Sequence, residues 1–172
     1  MASFILQAMY FFLPAYASNI APVIFRSINI FPQQVNAGIF GTHKSWGGLL
    51  YGMVFGTIVF YVQQSLYHYT TFQQLSMINY PQQPVIFGFL LASGAILGDL
   101  IKSFFKRRKG KIEGAHWFPF DQIDYVIGAL LFIVPLYTPP LKIVITLFIL
   151  APFLHYTANY IGFLLGLKRV KW

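Results

Sequence analysis

The chain has no cysteine among its 172 residues, which excludes structural disulfides, thiolate metal sites and a cysteine nucleophile. Charge is also scarce: 9% of the residues are charged, where a soluble domain carries about a quarter. So few ionisable groups cannot build the polar surface of a cytosolic fold. Only four residues are acidic. The N-terminus, MASFILQAMYFF, lacks a positive region ahead of its apolar run and passes a proline without a small-residue cleavage signal. It is therefore read as a retained span rather than a signal peptide. No internal repeat, low-complexity block or separable soluble unit is visible, so residues 1–172 are taken as a single transmembrane domain.

What fills the chain instead is apolar: 57% hydrophobic residues and 19% aromatics, with a mean hydropathy of +0.62. These values mark an integral membrane protein. A helix needs about 20 predominantly apolar residues to cross the hydrocarbon core. Five stretches separated by proline, glycine or charge qualify, near 2–25, 46–67, 84–104, 121–138 and 141–166. The expected fold is thus an all-α integral membrane protein with about five transmembrane helices. The fourth stretch is short, holds Asp124 near its start and is stopped by Pro139-Pro140.

Lysine and arginine favour the cytoplasmic side. With the N-terminus outside and the C-terminus cytoplasmic, the inward segments carry Arg26, Lys44, Lys102, Lys106, Arg107, Arg108, Lys109, Lys111, Lys168, Arg169 and Lys171, and only Lys142 is left outside. The loop over 68–83, HYTTFQQLSMINYPQQ, has neither lysine nor arginine. Loops near 26–45 and 105–120 are therefore expected to be cytoplasmic.

The four acids, Asp99, Glu113, Asp121 and Asp124, all fall between 99 and 124, together with six of the twelve basic residues. A run such as KRRKGK beside a span is ordinarily a topology signal or a contact for anionic headgroups. The carboxylates need another account. Asp99 ends the apolar stretch LLASGAILGD and Asp124 begins another; ionisable groups at such depth are costly and line cavities or pair with each other. Asp121 and Asp124, spaced i, i+3, share a helix face, which is unfavourable without a cation nearby. Magnesium commonly combines one or two carboxylates with substrate phosphates. Ion pairing with Lys102 or Arg107 accounts for the same spacing, and both readings stay open.

The run GDLIKSFFKRRKGKIEGAHWFPFDQID resembles the signature region of the membrane cytidylyltransferases that make CDP-activated lipids. Ser103, Lys106 and Arg107 stand in its Ser-x-x-Lys-Arg element, and Asp121 and Asp124 in its terminal Asp-x-x-Asp. A second block, IFGTHKSWGGLLYG, is similar to an earlier Lys-Thr-Trp-x-Gly element, with Lys44, Ser45, Trp46 and Gly48 in its positions. Small size, five expected spans and NIAPVIF before a proline-containing loop are closer to the archaeal branch, the CDP-archaeol synthases. The resemblance covers about 18–128. The chain departs from the bacterial pattern in having Pro119-Phe120 for a His-Gly-Gly turn, Gln122 for an arginine, and Gly47 for a charged residue after tryptophan.

The resemblance implies transfer of CMP from CTP to a membrane lipid phosphate, in this branch 2,3-bis-O-geranylgeranylglycerol 1-phosphate, giving CDP-archaeol and pyrophosphate. It implies Mg2+ held by Asp99, Asp121 and Asp124, and phosphate oxygens stabilised by Lys44, Lys106 and Arg107, with Lys102 beside them. Nucleotide contacts would come from these cations, from Ser45 and Ser103, and from the amides of Asn19 and Asn36 toward cytosine or ribose. Interhelical hydrogen bonding is the alternative for Asn19. His68, His116 and His155 read as interfacial or hydrogen-bonding groups, while His43 is better placed beside Lys44. The implied setting is a multi-pass protein of the cell membrane, working on its cytoplasmic side, with no nucleic-acid partner and with a homodimer left open.

Alternatives are a CDP-diacylglycerol synthase-like enzyme with another acceptor and a small non-enzymatic transporter. Against the transporter, charge confined to one side leaves no polar path across the bilayer. A CDP-alcohol phosphotransferase would need an Asp-Gly-x-x-Ala-Arg block, which is absent.

Overall fold

The computed structural model describes residues 4–25, 28, 30–164 and 166. Arg26, Lys168, Arg169 and Lys171, used above for orientation, lie outside the described residues. The helices are α1 (Phe4–Phe11), α2 (Leu13–Ile24), α3 (Ala37–Phe40), α4 (Trp46–Leu66), α5 (Thr70–Leu75), α6 (Ile86–Arg108), α7 (Phe120–Ile133) and α8 (Leu141–Leu164), with a 3-10 turn at Tyr80–Gln82. Among the described residues the sole β feature is an isolated antiparallel bridge between Gln34 and Ser45.

The first expected span is broken: α1 and α2 meet at 53°. Pro14 has no N–H for the Tyr10 carbonyl one turn earlier, and its ring crowds that carbonyl. The Gln63 amide of α4 donates to the Tyr10 carbonyl at 2.5 Å instead. A freed backbone group is thus satisfied inside the protein, as an apolar surrounding demands.

Helices α4, α6 and α8, of 21, 23 and 24 residues, are each long and apolar enough to cross a membrane, and the bent α1–α2 pair makes a fourth candidate. The stretch expected over 121–138 is helical only over Phe120–Ile133. Its 14 residues reach about 21 Å at 1.5 Å per residue, short of the hydrocarbon thickness. Its face instead packs into the protein, with Asp121, Gln122, Asp124, Tyr125 and Val126 all buried.

Glycines set how close α7 comes to α6. A Cβ on Gly128 would lie 2.1 Å from the Gly94 carbonyl oxygen and 2.9 Å from the Gly98 Cα. Backbones approach this closely only where side chains are missing. The seam sets Asp121 and Asp124 of α7 beside Asp99, Lys102 and Lys106 of α6. Away from it, Phe11, Phe12, Phe60, Tyr80, Phe87 and Tyr125 fill an aromatic core, with Phe60 stacked on Phe87 at 5.3 Å. Gln64 fastens the segment between α4 and α6 by donating to the Tyr80 and Gln83 carbonyls at 3.1 and 2.7 Å. Val54 and Ile58 of α4, and Ile145, Ile149 and Phe153 of α8, remain exposed. Such apolar surface suits contact with hydrocarbon rather than water.

Candidate active site

Helix α6 runs to Arg108, past the expected end at 104, so the second loop begins only at 109. Cations in its last turn are favoured by the partial negative charge of the helix C-terminus. Lys102 and Lys106, spaced i, i+4, share the face turned toward α7.

The Lys102 ammonium stands 3.1 Å from Asp99 Oδ1, 3.1 Å from Asp121 Oδ1 and 3.1 Å from Asp124 Oδ2. Lys106 donates to both oxygens of Asp121 at 2.9 and 3.0 Å, and Lys44 donates to Asp99 Oδ2 from the preceding loop. Three carboxylates and three ammonium groups thus alternate in one network. Asp121 and Asp124 are 8% and 7% exposed; an unpaired charge so placed would cost several kcal/mol, roughly, and the alternation removes most of that cost. Backbone donors complete it: Trp117 N–H to Asp121 Oδ2 at 2.7 Å and Tyr125 N–H to Asp124 Oδ1 at 2.7 Å.

Lys44 arrives through a loop strapped onto the start of α4. Val35 N–H bonds the Lys44 carbonyl at 2.8 Å, Trp46 N–H the Gln33 carbonyl at 3.0 Å, and Gly47 N–H the Phe31 carbonyl at 2.9 Å. The Tyr51 hydroxyl donates to the Ile28 carbonyl at 2.5 Å. Ser45 caps α4, accepting from Gly48 N–H at 3.1 Å, and Asn36 caps α3, accepting from Ile39 N–H at 3.1 Å. Such caps stabilise a helix by about 1 kcal/mol, which is a structural use for two residues expected at the nucleotide.

The structure therefore gathers Lys44, Asp99, Lys102, Lys106, Asp121 and Asp124. It leaves the other expected residues outside the ion network. The Ser103 hydroxyl donates to the Asp99 carbonyl at 2.8 Å within α6. Asn19 is half-buried on α2. Arg107 turns toward the loop and donates to the Ile112 carbonyl at 3.3 Å.

Sequence reasoning passed over two features. A cavity of about 180 Å3 is lined by Lys102, Lys106, Asp121, His116, His155 and Asn159, among others, so α8 brings polar groups to the site. The signal was the i, i+4 spacing of His155 and Asn159 inside an apolar run. Gln122 is fully buried, and among the described residues its amide has no hydrogen-bond partner. It lies between the two aspartates of the terminal motif, where an unsatisfied buried amide is notable.

The donor set suits a hard divalent cation. Oxygens of Asp99, Asp121 and Asp124 converge on one cationic position, held by Lys102, whose ammonium is the partner of the buried Asp124 Oδ2. Oxygen ligands of this kind are those magnesium takes. Among the described residues no group of three acids or histidines stands ready as a cage, so an ion would have to displace the Lys102 ammonium.

The outer basic residues are placed differently. Arg108, the last residue of α6, lies 5.6 Å over the Phe104 ring and Lys109, the first of the loop, 4.9 Å over the Trp117 ring, and both are exposed. Arg108→Gln and Lys109→Gln are expected to change stability by no more than about 0.5 kcal/mol and turnover by no more than about twofold. Thermal unfolding and rate measurements on the purified variants check this. A tenfold loss of rate in either would move the site into the basic loop.

A model of the CarS-like CDP-archaeol synthase family matches residues 1–172. A CDP-archaeol synthase of Pyrococcus furiosus is 36% identical over 174 residues, covering 98% of this chain and 98% of that protein. One from Methanocorpusculum labreanum is 40% identical over 150 residues, covering 78% of this chain and 82% of that protein. A solved structure of an intramembrane enzyme for archaeal membrane lipids biosynthesis superposes with a TM-score of 0.71 at 26% identity, over 90% of this chain and 94% of that one.

Proposed function

The chain belongs to the CarS-like CDP-archaeol synthase family, and from that premise we propose how its alternating lysines and aspartates work. It is a multi-pass membrane enzyme, a CTP-dependent cytidylyltransferase that forms CDP-archaeol. In the proposed reaction a phosphate oxygen of the lipid attacks the α-phosphorus of CTP. The bond from that phosphorus to the bridging oxygen breaks, and pyrophosphate leaves with the electron pair. No general base is required, since a phosphomonoester is already anionic near neutral pH.

The observation that carries this reading is the network joining Lys44, Asp99, Lys102, Asp121, Asp124 and Lys106. Nucleotidyl transfer is accelerated mainly by positioning and by neutralising charge on the transferring group. Lys44 and Lys106 bind phosphate oxygens, and Lys102 exchanges its carboxylate partners for them. Arg107, one residue on from Lys106, supplies a further charge at the loop. Asp99, Asp121 and Asp124 would hold magnesium, which when bound neutralises and polarises the phosphoryl oxygens. The carboxylates also keep the three lysines together before substrate arrives. The cluster is taken to face the cytoplasm, since Lys44 and the cations from Lys102 to Lys111 gather at one end while Lys142 packs near Phe4 elsewhere.

The test is release of pyrophosphate and formation of CDP-lipid by the purified chain with CTP, magnesium and a long-chain lipid monophosphate. CTP is expected to be used far better than ATP or GTP, and glycerol phosphate without tails to be rejected. Lys44→Gln should weaken CTP use by about 1.5–3 kcal/mol, the worth of a hydrogen bond to a charged group. Equal turnover with ATP, or with water-soluble glycerol phosphate, would overturn the reading.

A further inference from the structure

Glu113 is the one acid outside the buried network, and it ties together the two loops that border it. Its carboxylate accepts from the Thr42 backbone N–H at 2.5 Å and from the Thr42 hydroxyl at 2.7 Å, with His43 Nε2 3.7 Å away. Gly41 makes room for this. Its φ is +94°, a backbone sign that favours glycine, and a Cβ there would lie 2.8 Å from Glu113 Oε1 and push the carboxylate aside. Two residues beyond Thr42, Lys44 reaches Asp99. On the other side, Arg107 holds the carbonyl of Ile112 next to Glu113, and the loop returns to Trp117, whose N–H bonds Asp121.

A phosphoryl group uses the same kinds of donor that gather on Glu113: a backbone N–H, a hydroxyl, an imidazole and a nearby guanidinium. A glutamate is already an anion at neutral pH, and the hydrogen bonds from Thr42, with smaller contributions from His43 and Arg107 nearby, hold the Glu113 carboxyl below its ordinary value. The contact is exposed, and an exposed carboxylate is held weakly. A phosphate carrying more charge competes with it well.

We propose that the Thr42 turn is a subsite for a phosphate group of a substrate, occupied in the free chain by Glu113, which the substrate displaces. Displacement frees the loop that carries Lys44 from the loop that leads to Asp121. The contact thus acts as an internal competitor and a latch. This rests on the reading that CTP and a lipid phosphate are the substrates; the phosphate that enters the turn belongs to one of them.

The experiment compares the wild type with Glu113→Gln and Glu113→Ala, titrating CTP at saturating lipid phosphate and lipid phosphate at saturating CTP. Removing the competing charge should lower KM for one of the two by about tenfold, the scale of one charge-assisted contact. The substrate whose KM falls is the one that enters the turn. Thr42→Val, which loses the hydroxyl, should raise the same KM by about tenfold, and Thr42→Ser should restore it; thermal unfolding checks that each variant folds. Unchanged or raised KM values for both substrates in the Glu113 variants overturn the proposal. A Thr42→Val effect spread over both substrates, or no rescue by Thr42→Ser, also overturns it. Wild-type protein without CTP-dependent pyrophosphate release would sink the proposed function itself, a separate result.

Discussion

Replacing Asp121 or Asp124 with asparagine is expected to lower kcat/KM by about three powers of ten, roughly 4 kcal/mol of transition-state stabilisation, in a chain that still folds. Asparagine keeps the shape and one acceptor of each carboxylate but removes its charge. At Asp121 the loss falls on Lys102 at 3.1 Å and Lys106 at 2.9 Å together. At Asp124 it falls on Lys102 alone among the cations that pair with it. Three lysines would then face two carboxylates, and breaking one side of a buried pair costs about 3–5 kcal/mol when nothing compensates. Here Lys102 keeps two other partners in either variant, so melting should fall by several degrees rather than fail. Transfer of labelled CMP into lipid at saturating magnesium, with chromatography to confirm the folded species, measures both effects. Wild-type rates in both variants would remove the carboxylates from the mechanism.

Gly98→Ala should be nearly as damaging although it adds one methyl group and touches no charge. The new Cβ would stand 2.3 Å from the Asp124 carbonyl oxygen and 3.2 Å from the Gly128 Cα. These are backbone atoms, which cannot swing aside as the tip of a side chain can. Overpacking of this kind costs about 1–3 kcal/mol. Helix α7 must move off α6, and Asp124 moves with it, away from Lys102. A displacement of about 1 Å at a reacting site can cost two powers of ten in rate, and that is the loss expected in turnover. Gly38→Ala is the control, because its Cβ would meet only Asn36 Oδ1 at 3.6 Å, an ordinary contact. Equal activity and melting for the Gly98 and Gly38 variants would show that the glycine seam does not position the site.

The membrane class, the helix order and the two motif blocks were legible in sequence because each depends on neighbouring residues. Composition settles the solvent, and apolar run length settles the span candidates. The break at Pro14 is a local event too, but its repair is not: the donor to Tyr10 comes from Gln63, 53 residues on. The same limit applies to the stretch at 121–138. It looked like a short span, and only its burial against α6 shows how a 14-residue helix carrying two aspartates is accommodated.

Within the site, Lys44, Lys106, Asp121 and Asp124 could be named from the motif resemblance, and Asp99 and Lys102 from charge at the end of an apolar stretch, while Arg107, Ser45, Asn36 and Ser103 proved to be occupied with loop, cap or helix carbonyl contacts. The charge census fixed which residues must be brought together, since so few ionisable groups in an apolar chain are stable only near one another. Which lysine meets which carboxylate was decided by packing. Lys44 and Asp99 are 55 residues apart and Thr42 and Glu113 are 71 apart, separations over which no periodicity in the sequence carries information. The Lys44 pair forms because a strapped loop sets Lys44 beside Asp99 of α6, and the pairs of Lys102 with Asp121 and Asp124 form because three glycines let α6 and α7 touch backbone to backbone.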